Sequence, residues 1–240
     1  MNFVTPTAPP ADMEHISPQV MHKLVFTVLV HGLPDAQTGV ALDVLQEAQS
    51  NANPQVRELA VVALAELPVP PAKRVAALMK GVQDSAARVR RRAARALGDF
   101  GMHALPAVPM LTGALKDPDA SVRRDAAGAL GRFGMAAAPA AGTLVTLLAD
   151  PDTRTRVVVG IAVRRIGRPA LPALLQALRF SDAEIRARAA TIAARIAPGD
   201  DEVTAALRRA AATDPDDEVR QSAAEALDGM KLPYATLATA

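Results

Sequence analysis

Apolar residues recur along this chain at helical spacing, and the pattern itself recurs. Val89, Ala93, Ala96, Leu97 and Phe100 fall at i, i+4, i+7, i+8 and i+11, one stripe along one helix. Arg90 lies on one flank of that stripe. Arg88, Arg92, Arg95 and Asp99 lie on the other, and Arg91 points further towards solvent. The block RVRRRAARALGDFG from Arg88 returns as SVRRDAAGALGRFG from Ser121, RTRVVVGIAVRRIG from Arg154 and EIRARAATIAARIA from Glu184. One arginine marks the register, at Arg57, Arg90, Arg123, Arg156, Arg186 and Arg220, with gaps of 33, 33, 33, 30 and 34 residues. A unit of this length cannot bury its apolar face alone, so the pattern predicts an all-α solenoid of stacked helical hairpins.

The predicted hairpins number six. They pair 36–49 with 54–67, 72–82 with 87–99, 104–115 with 120–132, 137–149 with 153–166, 169–178 with 183–196, and 202–212 with 217–228. Asn53-Pro54, Asp117-Pro118-Asp119, Asp150-Pro151-Asp152 and Asp214-Pro215-Asp216 punctuate the turns inside hairpins. Gly101, Gly134 and Gly167 close second helices, where a left-handed residue is favoured. Ser17-Pro18 reads as an N-cap and first helical position, opening a capping helix over 19–30. Residues 1–16 are Pro/Ala-rich and read as a flexible tail, 17–229 as the solenoid, and 230–240 as a short C-terminal extension.

The segment LPAVPMLTGALKDPDASVRRDAAGALGRFG, residues 105–134, resembles the HEAT-repeat family, in its short bacterial and archaeal, phycobilisome-lyase-like form. The resemblance covers about 36–229. It implies a right-handed α-α superhelix of about six hairpins behind an N-terminal capping helix. It implies a proline kink in the first helix, which Pro109 and Pro172 fit; Ala76, Gly142 and Ala206 stand near that position elsewhere, so a weaker kink is expected there. It also implies a polar ladder between repeats, from an Asp six residues before an Arg. Asp84–Arg90, Asp117–Arg123, Asp150–Arg156 and Asp214–Arg220 match, and Asn51–Arg57 is a variant. The fifth repeat has Phe180 at the Asp position, so its ladder is either broken or served by Asp182. On this reading the six register arginines are glue between repeats and not binding residues.

The rest of the composition removes function classes. There is no Cys, hence no disulfide or thiolate chemistry, and no apolar run near the N-terminus is long enough to span a bilayer. No membrane insertion and a cytoplasmic location are expected. His15, His22, His31 and His103 lack the spacing of a metal site, and no His-Glu pair of the kind found in HEAT-like di-iron hydroxylases occurs. There is no phosphate-binding glycine loop after a strand and no Gly-x-Ser-x-Gly. Asp200-Asp201-Glu202 reads as an acidic helix start. A base-extruding glycosylase needs aromatic brackets, and the chain has no Trp and one Tyr. No catalytic residue, cofactor or metal is therefore assigned, and the expectation is a chain that is not an enzyme.

Charge restores a positive signal. Residues 1–72 carry 2 basic and 7 acidic side chains, residues 73–168 carry 17 and 7, and residues 169–240 carry 8 and 11. Stacking turns equivalent positions into columns: Asp99, Arg132, Arg165, Arg195; Arg88, Ser121, Arg154, Glu184; Arg91, Arg124, Val157; Arg92, Asp125, Val158, Arg188; and Arg95, Gly128, Ile161, Thr191. In the fourth repeat Val157, Val158 and Ile161 replace charged or small residues, with Arg154 and Arg165 beside them. Two readings compete at this cluster. It is either a protein-binding hot spot rimmed by arginine or local packing in an irregular repeat. The expected function is a scaffold presenting this basic, partly apolar face of the second helices to an acidic protein segment. The alternatives are duplex nucleic acid held through phosphates by the central arginines and, by family analogy, a bilin-lyase-like activity.

Overall fold

The structure, a computed structural model, describes residues 17–26 and 35–231. The tail 1–16, the end of the expected capping helix at 27–30, and residues 232–240 of the expected extension lie outside these. The chain divides into two compact units, Met1–Ala114 and Leu115–Ala240. All regular structure among the described residues is helical.

The first unit contains α1 (Pro18–Phe26), α2 (Asp35–Ala48), α3 (Pro54–Glu66), α4 (Pro71–Gly81), α5 (Ala87–Asp99) and α6 (Val108–Ala114). The Ser17 hydroxyl accepts from the Val20 amide, and α1 packs on α3. Asn53 caps α3 through the Gln55 amide, and Pro54, which has no N–H to strand, occupies the first helical position. Leu45, Leu64, Leu78, Leu97 and Leu111 are fully buried. Small Ala60, Ala63, Ala93 and Ala94 lie among them and bring helices close without aromatic filler.

The second unit contains α7 (Ala120–Phe133), α8 (Ala141–Thr146), α9 (Thr153–Ile166), α10 (Leu171–Ala177), α11 (Ala183–Ile196), α12 (Asp201–Thr213) and α13 (Asp217–Lys231). Its core runs through Leu130, Leu144, Leu148, Ile166, Leu174 and Leu207. The two acids of each Asp-Pro-Asp turn have different jobs. The second, Asp119, Asp152 or Asp216, caps the following helix by accepting its first amides. The first accepts the amide two residues on, as Asp150 does from Asp152. Asp182 is the cap of α11, accepting from the Ile185 amide, so it does not replace the missing ladder carboxylate at Phe180.

The first helices of the third, fourth and fifth hairpins each open with a 3-10 segment. Seven-residue 3-10 segments, Gly101–Ala107 and Gly134–Ala140, precede α6 and α8, and a three-residue one, Arg168–Ala170, precedes α10. Each contains a proline: Pro106, Pro139 and Pro169. Proline cannot donate to a helical ladder and crowds the preceding turn. Pro109 and Pro172 stand at the second position of the α-helices that follow, where they cannot donate back into the 3-10 turn. The fourth repeat has the same 3-10 entry with Gly142 at that position. The prolines also locate the shortened repeat. Pro106 to Pro139 is 33 residues and Pro139 to Pro169 is 30, whereas Gly134 to Gly167 is still 33. Three residues are lost between Gly167 and Pro169. At Gly134 and Gly167, φ is 57° and 76°, a region L side chains avoid.

Ala120–Ala149 has the length and apolar content of a membrane span. It is divided at Gly134 into α7, a 3-10 segment and α8, and Leu130, Phe133 and Leu144 are buried in the second unit.

Gly131 marks a close approach of α7 to α9. A Cβ there would lie 2.9 Å from the Ala162 Cα and 3.0 Å from its Cβ. Gly131→Ala should force α7 and α9 apart and cost about 1–3 kcal/mol. Gly113→Ala in α6, where a Cβ meets nothing within 4 Å, should be neutral or stabilising by up to ~1 kcal/mol. Urea unfolding of both variants checks the contrast.

Candidate functional site

The register arginines form a two-sided clasp. On one side Nη1 donates to backbone carbonyls of the same repeat, six and five residues back: Arg57 to Asn51 and Ala52, Arg123 to Asp117 and Pro118, Arg186 to Phe180 and Ser181. Arg90 binds Asp84 and Ser85 in the same way. On the other side Nε and Nη2 grip a carboxylate of the next repeat. Arg57 holds Asp84 at 2.7 and 2.8 Å, Arg123 holds Asp150 at 2.7 and 2.8 Å, and Arg186 holds Asp214 at 2.9 Å twice. The side-chain partner is thus the carboxylate 27 or 28 residues ahead, while the Asp six residues back contributes its carbonyl. Phe180 can serve Arg186 because only its backbone is needed.

The clasp changes at Arg156. The position ahead of it is Phe180, and Arg156 Nε lies 3.2 Å from Glu184 Oε1 without a well-aligned hydrogen bond. Glu184 also takes Arg188 Nη2 at 2.8 Å.

Burial alone would raise the Asp150 carboxyl. The Arg123 guanidinium and the Asp152 amide outweigh it and hold the group below the usual carboxylate range. Asp84 is lowered by the same balance with Arg57 and the Ala86 amide. At Asp214 the Arg186 hydrogen bonds are the largest influence, again downward.

The expected binding residues divide between the two units. In the first unit Arg92 and Arg95 line a groove of about 440 Å³ with Arg74, Asp99, Phe100 and His103. Its charges are largely engaged. Arg74 donates to the Ala65 carbonyl and stacks over the Phe100 ring at 4.7 Å, while Arg88 and Arg92 approach Glu58 at 2.6 and 3.8 Å. Arg91 is half-buried on the same helix.

In the second unit Arg124 reaches Asp152 at 3.5 Å, and Arg132 is exposed near the end of α7. A groove of about 600 Å³ lies between α9 and α11 and is bordered by α13. It gathers Ile161 and Arg195 from the expected set, together with Val157, Arg164, Arg188, Ile192 and Glu218. Val157 is 55% and Ile161 37% exposed. Val158 points elsewhere: it is half-buried, with Cγ1 3.7 Å from where a Gly128 Cβ would stand, and it packs on α7. Arg154 and Arg165 are exposed outside the groove lining. Arg164 was not singled out by sequence, although one helical turn beyond Ile161 it had to share that face. Arg164, Arg195 and Glu218 have no ion-pair partner among the described residues. No cluster of three or more metal-ligating side chains occurs among the described residues.

A sequence model for HEAT repeats matches residues 41–108, 75–142 and 141–228, most of the chain and all of the clasp-bearing hairpins from α3 to α13. The chain belongs to the HEAT-repeat family. Two solved structures agree in fold. An engineered protein is 24% identical with a TM-score of 0.52, covering 79% of this chain and 96% of its own. The Escherichia coli YibA protein is 16% identical with a TM-score of 0.53, covering 93% and 88%. The complex of CpcE and CpcF of phycocyanin lyase from Nostoc sp. PCC7120 gives 25% and 0.48, covering 79% and 76%. No curated protein matches the HEAT-repeat chain in sequence.

The clasp makes stability sensitive to single carboxylates. Asp150 has a side chain 1% exposed and Arg123 one 14% exposed, so Asp150→Ala strands a largely buried guanidinium and should cost about 3 kcal/mol. Glu184→Ala, at a pair where the carboxylate is 44% exposed, should cost under ~1 kcal/mol. Because the ladder carboxyls titrate below their unfolded value of about 3.9, their contribution is complete above that pH and is lost as pH falls through the folded values. Thermal melts from pH 7 to 3 should show a flat upper region and a steep acid limb, shallower in Asp150→Asn.

Proposed function

We propose that this HEAT-repeat protein is a non-enzymatic interaction module that binds an acidic, partly apolar protein segment on the α9–α11 face. One observation carries the reading: two exposed apolar side chains, Val157 and Ile161, share a groove with two unpaired arginines, Arg164 and Arg195. Solvent-facing Val and Ile gain free energy when covered, and arginine beside them supplies planar, charge-assisted donors to a carboxylate. The face includes fewer of the central arginines than the sequence expectation did. Engagement of Arg88, Arg92 and Arg124 by Glu58 and Asp152 also weakens the case for a continuous phosphate-binding stripe.

The test is affinity capture from native lysate with the wild-type chain and with Val157→Asp/Ile161→Asp, each with and without nuclease. A nuclease-resistant protein should be captured by wild type, with affinity falling about 30-fold or more in the variant. Both positions are exposed, so the variant should keep wild-type thermal stability. Capture that vanishes with nuclease, or that collapses between about 50 and 200 mM salt, would replace this reading with nucleic-acid binding.

A further inference from the structure

The α9–α11 groove has a direction. Arg156 meets Glu184, and a Cβ at Gly160 would meet Ile192 Cδ1 at 3.8 Å, so α9 and α11 run the same way. At their N-terminal end stands Glu184, already shared by Arg156 and Arg188, and Glu218 comes from the first turn of α13. At their C-terminal end stand Arg164 and Arg195, in the last turns of the two helices. Val157, Ile161 and Ile192 lie between, with Gly160, Ala187 and Thr191 as small residues that permit close approach.

Resting on the protein-binding reading above, we infer that the occupant is an amphipathic α-helix of a partner protein lying antiparallel to α9 and α11. Its acidic first turn faces Arg164 and Arg195, and its basic last turn faces Glu218. The floor from Val157 to Arg164 spans seven residues of helix, about 10 Å, which two turns of a docked helix cover. An extended segment would lay backbone N–H and C=O groups over this apolar floor. The Thr191 hydroxyl there already donates to the Ala187 carbonyl, so it can accept from an N–H but not serve a C=O, and Ser222 is the neutral hydroxyl donor left in the lining. A helix arrives with those groups satisfied. Helices favour acids in their first turn and bases in their last. Set antiparallel, such a helix lays its acids on Arg164 and Arg195 and its bases on Glu218, and opposes its dipole to those of α9 and α11. Set parallel, it lays its bases on Arg164 and Arg195 and its acids on Glu218.

The experiment displays two peptide libraries on phage against the full chain. One is a 14-residue Ala-rich helix former with leucines at helical spacing and random charges in the first and last turns. The other has the same composition with a central proline. The expected result is at least tenfold enrichment of acid-first, base-last helices over the reverse polarity on the wild-type chain, with the preference lost in Arg164→Glu/Arg195→Glu. Equal enrichment of both polarities, enrichment confined to the proline library, or no enrichment overturns the inference. A cellular protein captured by wild type and lost in Val157→Asp/Ile161→Asp, alongside any of those results, leaves the interaction reading standing while this one falls. Loss of that capture as well removes both.

Discussion

The arginine clasp is the constraint on which the fold depends. A hairpin turn leaves the last carbonyls of its first helix without helical partners. One guanidinium has five N–H groups in a rigid fork, enough to accept two tasks at once. Nη1 of Arg123 closes the turn of its own repeat through the Asp117 and Pro118 carbonyls, and Nε and Nη2 grip Asp150 of the next. Turn closure and repeat stacking are thereby the same interaction. A lysine could supply the charge but not the geometry. Close packing then follows from the register so imposed: Gly131 stands against Ala162 only because α7 and α9 are held at that height.

The clasp also explains where the molecule is irregular. It needs a carboxylate 27 or 28 residues ahead, and at Arg156 the corresponding residue, Phe180, is only 24 ahead, because three residues are missing between Gly167 and Pro169. The shortened repeat and the absent Asp are at the same junction. Glu184, the second residue of α11, takes the arginine at the edge of the α9–α11 groove. Local rules tend to fail at sites shaped by another requirement, and here the failed ladder step, the exposed Val157 and Ile161 and the unpaired Arg164 and Arg195 coincide.

Much of the fold was legible because its signals are spaced along the chain. The arginine period, the Asp-Pro-Asp turns and the closing glycines place the described helices within a residue or two of their expected bounds at most ends. The extent of the 3-10 entry was not legible, because two prolines three residues apart, Pro106 and Pro109, both interrupt α-helical pairing, and only the backbone shows that the first lies inside the 3-10 segment and the second opens α6. The ladder partner was ambiguous for a similar reason: a spacing of six identifies the residues but not whether the carbonyl or the carboxylate of the Asp is used. The binding face was the least legible. Adjacent helical positions lie about 100° apart, so assigning the outward face one position out of register exchanges Val157 for Val158 as the exposed residue. Which arginines stay unpaired depends on neighbours such as Glu58, 30 residues before Arg88.

Charge count alone is therefore a poor guide to this surface. The first unit's α5 carries Arg88, Arg90, Arg91, Arg92 and Arg95, yet Glu58 and the turn carbonyls of Asp84 and Ser85 take up several of these. A guanidinium already paired with a carboxylate has its charge largely balanced and part of its fork occupied, so it gains less from a ligand. Arg164 and Arg195 give up no such bond. Helix dipoles favour cations in those last turns, which accounts for arginines being tolerated there but not for their opening onto an apolar floor. Covering Val157 and Ile161 would also desolvate both guanidinium groups, and that cost is offset only if the cover carries a carboxylate to them. Apolar burial and charge pairing on this face are thus coupled, so a purely apolar partner and a purely acidic one are each disfavoured relative to a segment that has both.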